Sequence, residues 1–158
     1  MIMKWIKLIA SIIICQLAGI IGSIFTAPSI PTWYATLQKP FFTPPSWVFA
    51  PVWITLFLLM GISLYLIWEK GLGIKNVRIA VSIFGAQLIL NTVWSFLFFG
   101  LQNPFLAFIE ILILWIFILA SIILFYRISK KAGIILVPYI VWVTIATALN
   151  YSVWILNI

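Results

Sequence analysis

Chemistry in this chain has to come from tryptophan and a few polar side chains, because the usual catalytic residues are scarce. The sequence contains nine tryptophans, no histidine, one cysteine and two acids, Glu69 and Glu110. It therefore lacks an imidazole base, a metal-ligand cluster and a clear carboxylate pair. It also has no glycine-rich phosphate loop. Hydrolases, phosphoryl transferases and metal enzymes are disfavoured, and Cys15 is interpreted as a small packing residue.

Two sets of residues recur at four-residue spacing, which places each set on one face of a helix. They are Gln87, Asn91 and Ser95, and then Trp142, Ala146 and Asn150. In one interpretation the polar members hydrogen-bond between helices and hold a bundle together. In the other they form the wall of a ligand pocket. The alternation of large and small residues in the second set leaves a recess or accommodates a neighbouring helix.

The composition places these helices in a membrane. The chain is 66% hydrophobic and 7% charged, with a mean hydropathy of +1.29. Runs of about 20 apolar residues span the hydrocarbon core. The sequence predicts an all-α membrane protein, a single bundle of five transmembrane helices near residues 5–27, 46–68, 77–101, 104–126 and 133–156. The first is interpreted as a retained helix rather than a signal peptide, because its apolar run is long and Phe25 is bulky where cleavage needs a small residue.

The basic residues give the bundle an orientation. Eight of the nine fall on one side if the five spans alternate, and only Lys39 falls on the other. By the positive-inside rule the amino terminus is cytoplasmic and the first loop lies outside. We expect the plasma membrane of a prokaryote. No basic cluster alternates with exposed aromatic residues, so nucleic-acid binding is not indicated.

Tryptophan depth separates membrane anchors from candidate site residues. Five tryptophans lie near span ends, as interface anchors do. The deeper four are Trp53, Trp94, Trp115 and Trp142, and an indole N–H at such depth needs an acceptor or a ligand. Trp53 lies about 12 Å into its helix at 1.5 Å per residue. Trp115 has only aliphatic neighbours in sequence and is expected to face lipid.

The proline-rich segment between the first two spans predicts a covered cavity near the outer leaflet. The connection at residues 28–45 is long and is expected to form a lid. Thr43 is expected to cap the second helix, with Pro44 in its first turn. Pro51 is expected to kink that helix just before Trp53. Such breaks are tolerated in membranes where protein or a cavity surrounds them.

Three long motifs resemble the translocator protein family, also called tryptophan-rich sensory proteins (TspO/MBR). They are "TWYATLQKPFFTPPSWVFAPVW", "AQLILNTVWSFLFFG" and "VPYIVWVTIATALNYSVW", in family order and spacing. The resemblance covers essentially the whole chain. It implies a five-helix bundle, commonly a homodimer in the membrane lipid. It also implies a pocket beneath the first loop that binds porphyrins and hydrophobic drug-like molecules such as isoquinoline carboxamides and benzodiazepines.

The resemblance also implies roles for individual residues. Trp53 and Trp142 match the tryptophans linked to porphyrin binding and light-dependent porphyrin breakdown. The other matching pocket residues are Tyr34, Asn91, Trp94 and Ala146. The porphyrin is a ligand, so no resident cofactor or metal is expected. Glu110 matches a family acid, and we interpret it as a packing or solvated residue near the outer interface.

Two functions of different classes follow. The first is a tetrapyrrole-binding receptor or sensor, and the second is a small transporter of porphyrin or another amphipathic solute. Five spans do not divide into the matched halves that transporters commonly show, which favours binding. A purely structural subunit would leave the deep tryptophans without a ligand. The family's sterol-recognition stretch lacks its basic residue after Tyr151, so the resemblance gives no support for sterol binding.

Overall fold

The computed structural model describes all residues, 1–158, and every regular element is helical. The elements are α1 (Ile2–Ser29) with a π-helical turn at Ile30–Tyr34, a 3₁₀ turn (Ser46–Val48) leading into α2 (Phe49–Trp68), α3 (Lys75–Ser95) with a π-helical turn at Phe96–Gly100, α4 (Pro104–Ile128), α5 (Lys130–Ile135) and α6 (Val137–Leu156). The last two form one span. Five helical segments are long and apolar enough to cross a membrane, which confirms the predicted fold class.

The spans form a ring in which α1 packs against α2 and α3, while α4 packs against α3 and the α5–α6 span. The ring is closed between α2 and α5, where Ser63 Oγ donates to the Ala132 carbonyl at 2.7 Å. At the same end of the bundle Lys7 Nζ lies 3.1 Å from Glu69 Oε1. This ion pair joins the start of α1 to the residue after α2. Alternation of the spans therefore places the eight basic residues at this end.

Small residues let α1 and α2 approach closely in this basic half of the bundle. A Cβ added to Gly61 would lie 2.6 Å from the Ile12 backbone. Nearer the middle of the bundle, at the inner end of α1's outer half, a Cβ added to Gly19 would lie 2.6 Å from the Phe57 ring. Close helix approach of this kind replaces the hydrophobic effect as the packing force inside lipid. Below Phe57 the interior is filled by residues such as Met60 and Phe84, both fully buried. The helices are therefore fixed to each other in this half.

The predicted lid at residues 28–45 is too long. The first helix continues through Pro28, and its π-helical turn carries it to Tyr34. Pro31 cannot donate a backbone hydrogen bond, but it lies in the turn where the hydrogen-bond spacing changes, so its missing N–H disrupts little. Unpaired backbone is costly in a bilayer, which favours extending the helix. The lid is residues 35–45.

The second span starts at Ser46 as predicted, but the predicted helix cap is wrong. Thr43 does not cap the helix, because its backbone N–H and its Oγ1 both donate to the Pro40 carbonyl, at 3.1 and 2.7 Å, and close a turn within the lid. The helical segment starts at Ser46, after Pro45. Pro51 then occupies the third position of α2. The first N–H groups of a helix have no intrahelical partner, so the missing N–H of Pro51 costs little at this position, and the kink before Trp53 stays a prediction.

Candidate ligand-binding site

A cavity of about 380 Å³ lies between α1, α2, α3 and α6, beneath the lid. It occupies the half of the bundle opposite the basic end. Seventeen of its 27 lining residues are hydrophobic. All six residues that the sequence singled out line it, namely Tyr34, Trp53, Asn91, Trp94, Trp142 and Ala146. Its volume is within the range of small-molecule sites, at the lower end.

Trp53 and Trp142 line this cavity, and their indole N–H groups have no hydrogen-bond acceptor in the protein. Of the four deep tryptophans, only Trp94 and Trp115 donate to protein acceptors. Neither Trp53 Nε1 nor Trp142 Nε1 belongs to the buried polar atoms that are sealed without a partner. Neighbouring rings hold both side chains, since Trp53 packs 5.6 Å from Phe57 and Trp142 packs 6.2 Å from Phe49. A ligand with hydrogen-bond acceptors would satisfy these two donors.

Trp94 has a structural role although it also lines the cavity. Its Nε1 donates to Asn150 Oδ1 at 2.9 Å, and Asn150 Nδ2 donates to the Pro104 carbonyl at 2.8 Å. These two bonds tie α3, α6 and the start of α4 together at the outer end. The Trp94 ring also stacks on Phe98 at 5.0 Å. The indole N–H of Trp94 is therefore not available to a ligand.

The polar face of α3 combines both functions that its spacing suggested. Gln87 points into the protein interior and is bonded to Tyr139 and Met60. Asn91 donates to Tyr139 and also lines the cavity. Ser95 lines the cavity one turn further out. Along this one helix face, the inner residue therefore bonds to neighbouring helices, Asn91 does both, and the outer residue forms part of the cavity wall.

A positive charge lies in the lid, beside the cavity-lining residue Tyr34. Tyr34 lies at the end of the first helix, and Lys39 Nζ is 4.6 Å from the centre of its ring. A cation at this distance from an aromatic face is attracted by the ring quadrupole. Lys39 Nζ also donates to the Leu37 carbonyl at 3.1 Å. An anionic group at the edge of a bound ligand would meet this ammonium.

The carboxyl-terminal end of α6 fastens the lid. Asn157 Oδ1 accepts from the Gln38 backbone N–H at 3.0 Å, and Asn157 Nδ2 donates to the Gln38 carbonyl at 2.9 Å. The same Nδ2 donates to the Val153 carbonyl at 2.7 Å, which fixes the side chain. No local pattern indicates this contact, because the two residues are 119 positions apart.

Replacing Asn157 with alanine is expected to loosen the lid. Two hydrogen bonds to Gln38 are lost, and each contributes about 0.5–1.5 kcal/mol, so we expect the Gln38 amide to exchange with deuterium roughly fivefold faster or more. Hydrogen-exchange mass spectrometry of residues 35–45 measures this. Ser152→Ala is the matched control, because Ser152 is a partly exposed residue of the same helix and its side chain bonds only within that helix. Equal lid exchange in both variants would contradict the fastening role of Asn157.

The whole α1 wall of the cavity was missed by the sequence analysis. Small and polar residues of α1 line it, namely Gln16, Ala18, Gly19, Gly22, Ser23, Thr26 and Ala27. Their spacing resembles ordinary helix packing, and part of it is, since a Cβ on Gly22 would lie 3.1 Å from Ser95 Oγ. Because these α1 residues have small side chains, they also leave the space that forms the cavity.

The cavity also opens sideways. Ser23 and Ala27 of α1, and Ala50 and Ile54 of α2, line the cavity and are exposed on the outside of the bundle. Below this gap Gln16 Nε2 donates to the Ile54 carbonyl at 3.0 Å and joins the two helices. The outer halves of α1 and α2 are therefore separated by an opening that faces lipid.

Two predictions near the site need correction. Trp115 was expected to face lipid without polar company, but its Nε1 donates to Thr144 Oγ1 of α6 at 2.9 Å. The prediction that Glu110 is solvated is also wrong, because the residue is 7% exposed and neither carboxylate oxygen has a hydrogen-bond partner. Glu110 is a packing residue of α4 and does not line the cavity. Sequence neighbours do not reveal contacts across a helix interface.

Comparison with known proteins decides the family. The model of the TspO/MBR family matches residues 11–155. The chain belongs to the TspO/MBR family. Together with the five apolar helices this makes it an integral membrane protein.

Relatives from distant organisms align along nearly the full length of this TspO/MBR protein. The tryptophan-rich protein TspO of Archaeoglobus fulgidus is 46% identical over 98% of this chain and 99% of its own. The translocator protein of Bos taurus is 33% identical, over 95% of this chain and 89% of its own. The tryptophan-rich sensory protein of Cereibacter sphaeroides is 30% identical, over 98% and 94% respectively. The TspO/MBR match includes every helix that lines the cavity.

Proposed function

We propose that this TspO/MBR protein is a membrane receptor or sensor that binds tetrapyrroles, such as protoporphyrin IX or haem, and similarly flat hydrophobic molecules. The observation that carries the proposal is a mostly apolar cavity lined by Trp53 and Trp142, whose indole N–H groups have no acceptor in the protein. Hydrogen-bond donors inside a protein are normally bonded to an acceptor. Two donors without an acceptor beside a cavity therefore favour a ligand that carries acceptors.

Shape and charge fit this ligand class. A tetrapyrrole is a flat aromatic molecule with a carboxylate-bearing edge, and the walls offer the rings of Trp53, Trp142 and Phe49 for stacking, each contact contributing about 1 kcal/mol. The cavity is small for a whole macrocycle, so the propionate edge would lie outside it, beneath the lid. Lys39 would meet it there. The chain has no histidine that could serve as an axial ligand. Stacking and the contact with Lys39 hold the ligand in this mode of binding without axial coordination.

Light-dependent breakdown of the bound porphyrin is the reaction that this site favours. The porphyrin supplies the light absorption, and the hard chemistry belongs to the ligand. The protein contributes two electron-rich indoles beside it, Trp53 and Trp142. The lid over residues 35–45 would limit access of water.

Transport remains the alternative function, and the packing favours binding over it. Residues on the basic side of the cavity, such as Met60 and Phe84, are fully buried and fill the interior. The α1 and α2 backbones meet at Gly61 and Ile12 in the same half. A path to that side would require these helices to separate.

A titration tests the proposed function. Purified protein in nanodiscs is titrated with protoporphyrin IX while tryptophan fluorescence is followed, and we expect saturable quenching at one site per chain. The Trp53→Phe and Trp142→Phe variants should each remove part of the quenched signal. Quenching that grows linearly with porphyrin and never saturates would reject a specific tetrapyrrole site.

We further propose that the lid faces the outside of the cell and the basic end faces the cytoplasm. A cysteine introduced at Thr36, which is exposed in the lid, should react with a membrane-impermeant maleimide in intact cells. The buried Cys15 is replaced by serine in both test proteins so that only the new thiol reports. A cysteine at Lys130, at the basic end, is the control and should react only after lysis. The opposite pattern would invert the topology.

A homodimer through α3 is the assembly that we propose. Ser82 is exposed on α3, and a Cβ added to Gly85 would meet nothing within 4 Å, so small residues form an open face towards lipid. Such faces permit close helix approach. Replacing Ala86 with leucine should shift the protein towards monomer in mild detergent, measured by light scattering. Ala148→Leu on α6 is the control, and equal masses for both variants would reject the α3 interface.

A further inference from the structure

A chain of buried hydrogen bonds runs from the interior to the floor of the cavity. Gln87 Nε2 donates to Met60 Sδ at 3.8 Å, Tyr139 OH donates to Gln87 Oε1 at 2.7 Å, and Asn91 Nδ2 donates to Tyr139 OH at 2.7 Å. Met60, Gln87 and Tyr139 are each 1% exposed or less. These three residues lie outside the cavity lining, whereas Asn91 belongs to it.

The direction of this chain is fixed by its inner end. A thioether has no proton and only accepts, so Gln87 must turn its NH₂ towards Met60 and its oxygen towards Tyr139. The phenol has a single proton, which it donates to that oxygen. Tyr139 can then only accept from Asn91, so the Asn91 NH₂ faces Tyr139. The reverse direction would place the Gln87 oxygen against the sulfur, with two acceptors facing each other.

The outer end of the chain is an acceptor without a donor. Asn91 Oδ1 receives no hydrogen bond from the protein. It is also not among the buried polar atoms sealed without a partner, unlike both oxygens of Glu110. Since Asn91 lines the cavity, this oxygen is accessible from there.

We propose that Met60, Gln87 and Tyr139 are positioning residues that turn the Asn91 oxygen towards the cavity, so that the floor selects ligands carrying an N–H or O–H donor. The cavity then offers one acceptor at its floor and two donors, on Trp53 and Trp142. The inference rests on the proposed function only in requiring that the cavity binds a flat ligand, and it does not depend on that ligand being a tetrapyrrole.

Two flat probes that differ in one donor test this. They are 2-phenylindole, which has an N–H, and 1-methyl-2-phenylindole, which lacks it. The affinity ratio of the two probes is measured by tryptophan quenching in nanodiscs. We expect the ratio in the unmodified protein to be about fivefold higher than in Asn91→Leu, since a neutral hydrogen bond contributes about this much. Using the ratio removes the steric effect of the methyl group.

Substitutions of the positioning residues should lower the affinity ratio of the two probes, although these residues do not contact the ligand. In Tyr139→Phe the Asn91 amide loses its partner and can rotate, so the ratio should fall to the Asn91→Leu value. In Gln87→Leu the Tyr139 proton has no acceptor except Asn91 Oδ1, which reverses the amide, and the ratio should fall as far or further. Tyr151→Phe is the control, because Tyr151 is exposed on α6 and should keep the original ratio.

The outcomes separate this inference from the proposed function. An unchanged ratio in Tyr139→Phe or Gln87→Leu, in protein that unfolds as cooperatively as the control, overturns the positioning role. If Tyr139→Phe does not fold, Gln87→Leu gives the same decision. Failure of both indoles to bind also overturns the inference, and the protoporphyrin titration then decides separately whether the tetrapyrrole proposal stands.

Discussion

Replacing Ala146 with phenylalanine is expected to weaken binding of protoporphyrin IX by roughly 10- to 100-fold. Ala146 lines both the main cavity and a small apolar cavity of about 10 Å³ beneath it, between Trp53, Asn91 and Trp94. A phenyl ring at this position occupies the space of the ligand. Displacing neighbours in a packed site costs about 1–3 kcal/mol, and each 1.4 kcal/mol changes affinity tenfold.

The matched control for this substitution lies two residues along the same helix. Ala148 is exposed towards lipid, so Ala148→Phe adds the same ring outside the bundle. Its affinity for protoporphyrin should equal that of the unmodified protein. Both variants are measured by quenching titration in nanodiscs, with circular dichroism to check the helices. Unaltered binding by Ala146→Phe would show that the ligand does not use this cavity.

Replacing Trp53 and Trp142 with phenylalanine is expected to slow the light-driven loss of porphyrin absorbance severalfold, and the double variant should be slower than either single one. Phenylalanine keeps most of the stacking area but is a much poorer electron donor. The packing partners of both side chains are rings, Phe57 and Phe49, so the substitution is tolerated by its surroundings. The measurement is the Soret absorbance under constant illumination at saturating porphyrin.

An exposed tryptophan provides the comparison for this experiment. Trp47 is 75% exposed at the start of the second span and does not line the cavity. Trp47→Phe removes one indole from the protein and should leave the rate unchanged. Rates that are equal in all of these variants at saturating ligand would remove the tryptophans from the reaction and leave a passive binding site.

The spans were predictable from sequence because hydropathy over 20 residues is a strong signal. The starts of the second and fourth spans, at Ser46 and Pro104, were predicted at the residue where the structure has them. Five of the six candidate residues lie together because four-residue spacing and depth reflect helix geometry directly, whereas Tyr34 was identified only through the family resemblance. What such spacing does not reveal is the partner of each side chain. Trp53 and Trp94 looked equivalent in sequence, yet only Trp94 has its N–H bonded, to Asn150.

The errors have a common physical origin in the backbone. Pro28 and Pro31 suggested the end of the first helix, but a bilayer favours a paired backbone and a π-helical turn accommodates the prolines up to Tyr34. Thr43 has the side chain of a good helix cap, but it closes a turn with Pro40 instead. Local propensity correctly indicated that Thr43 takes part in a turn, but that turn lies within the lid and not at the start of the second helix. The Asn157 contact to the lid depends on the finished fold and leaves no local pattern.

The sideways opening between Ser23 and Ala27 on α1 and Ala50 and Ile54 on α2 makes the bilayer the solvent from which a ligand arrives. A hydrophobic ligand partitions into lipid before it meets the protein, because transfer of apolar surface out of water is favourable. The relevant concentration is then the mole fraction of ligand in the membrane. An affinity expressed per volume of buffer should weaken in proportion as more lipid is added, whereas the affinity expressed per mole of lipid should stay constant. Occupancy of this site therefore reports how much ligand the membrane has dissolved.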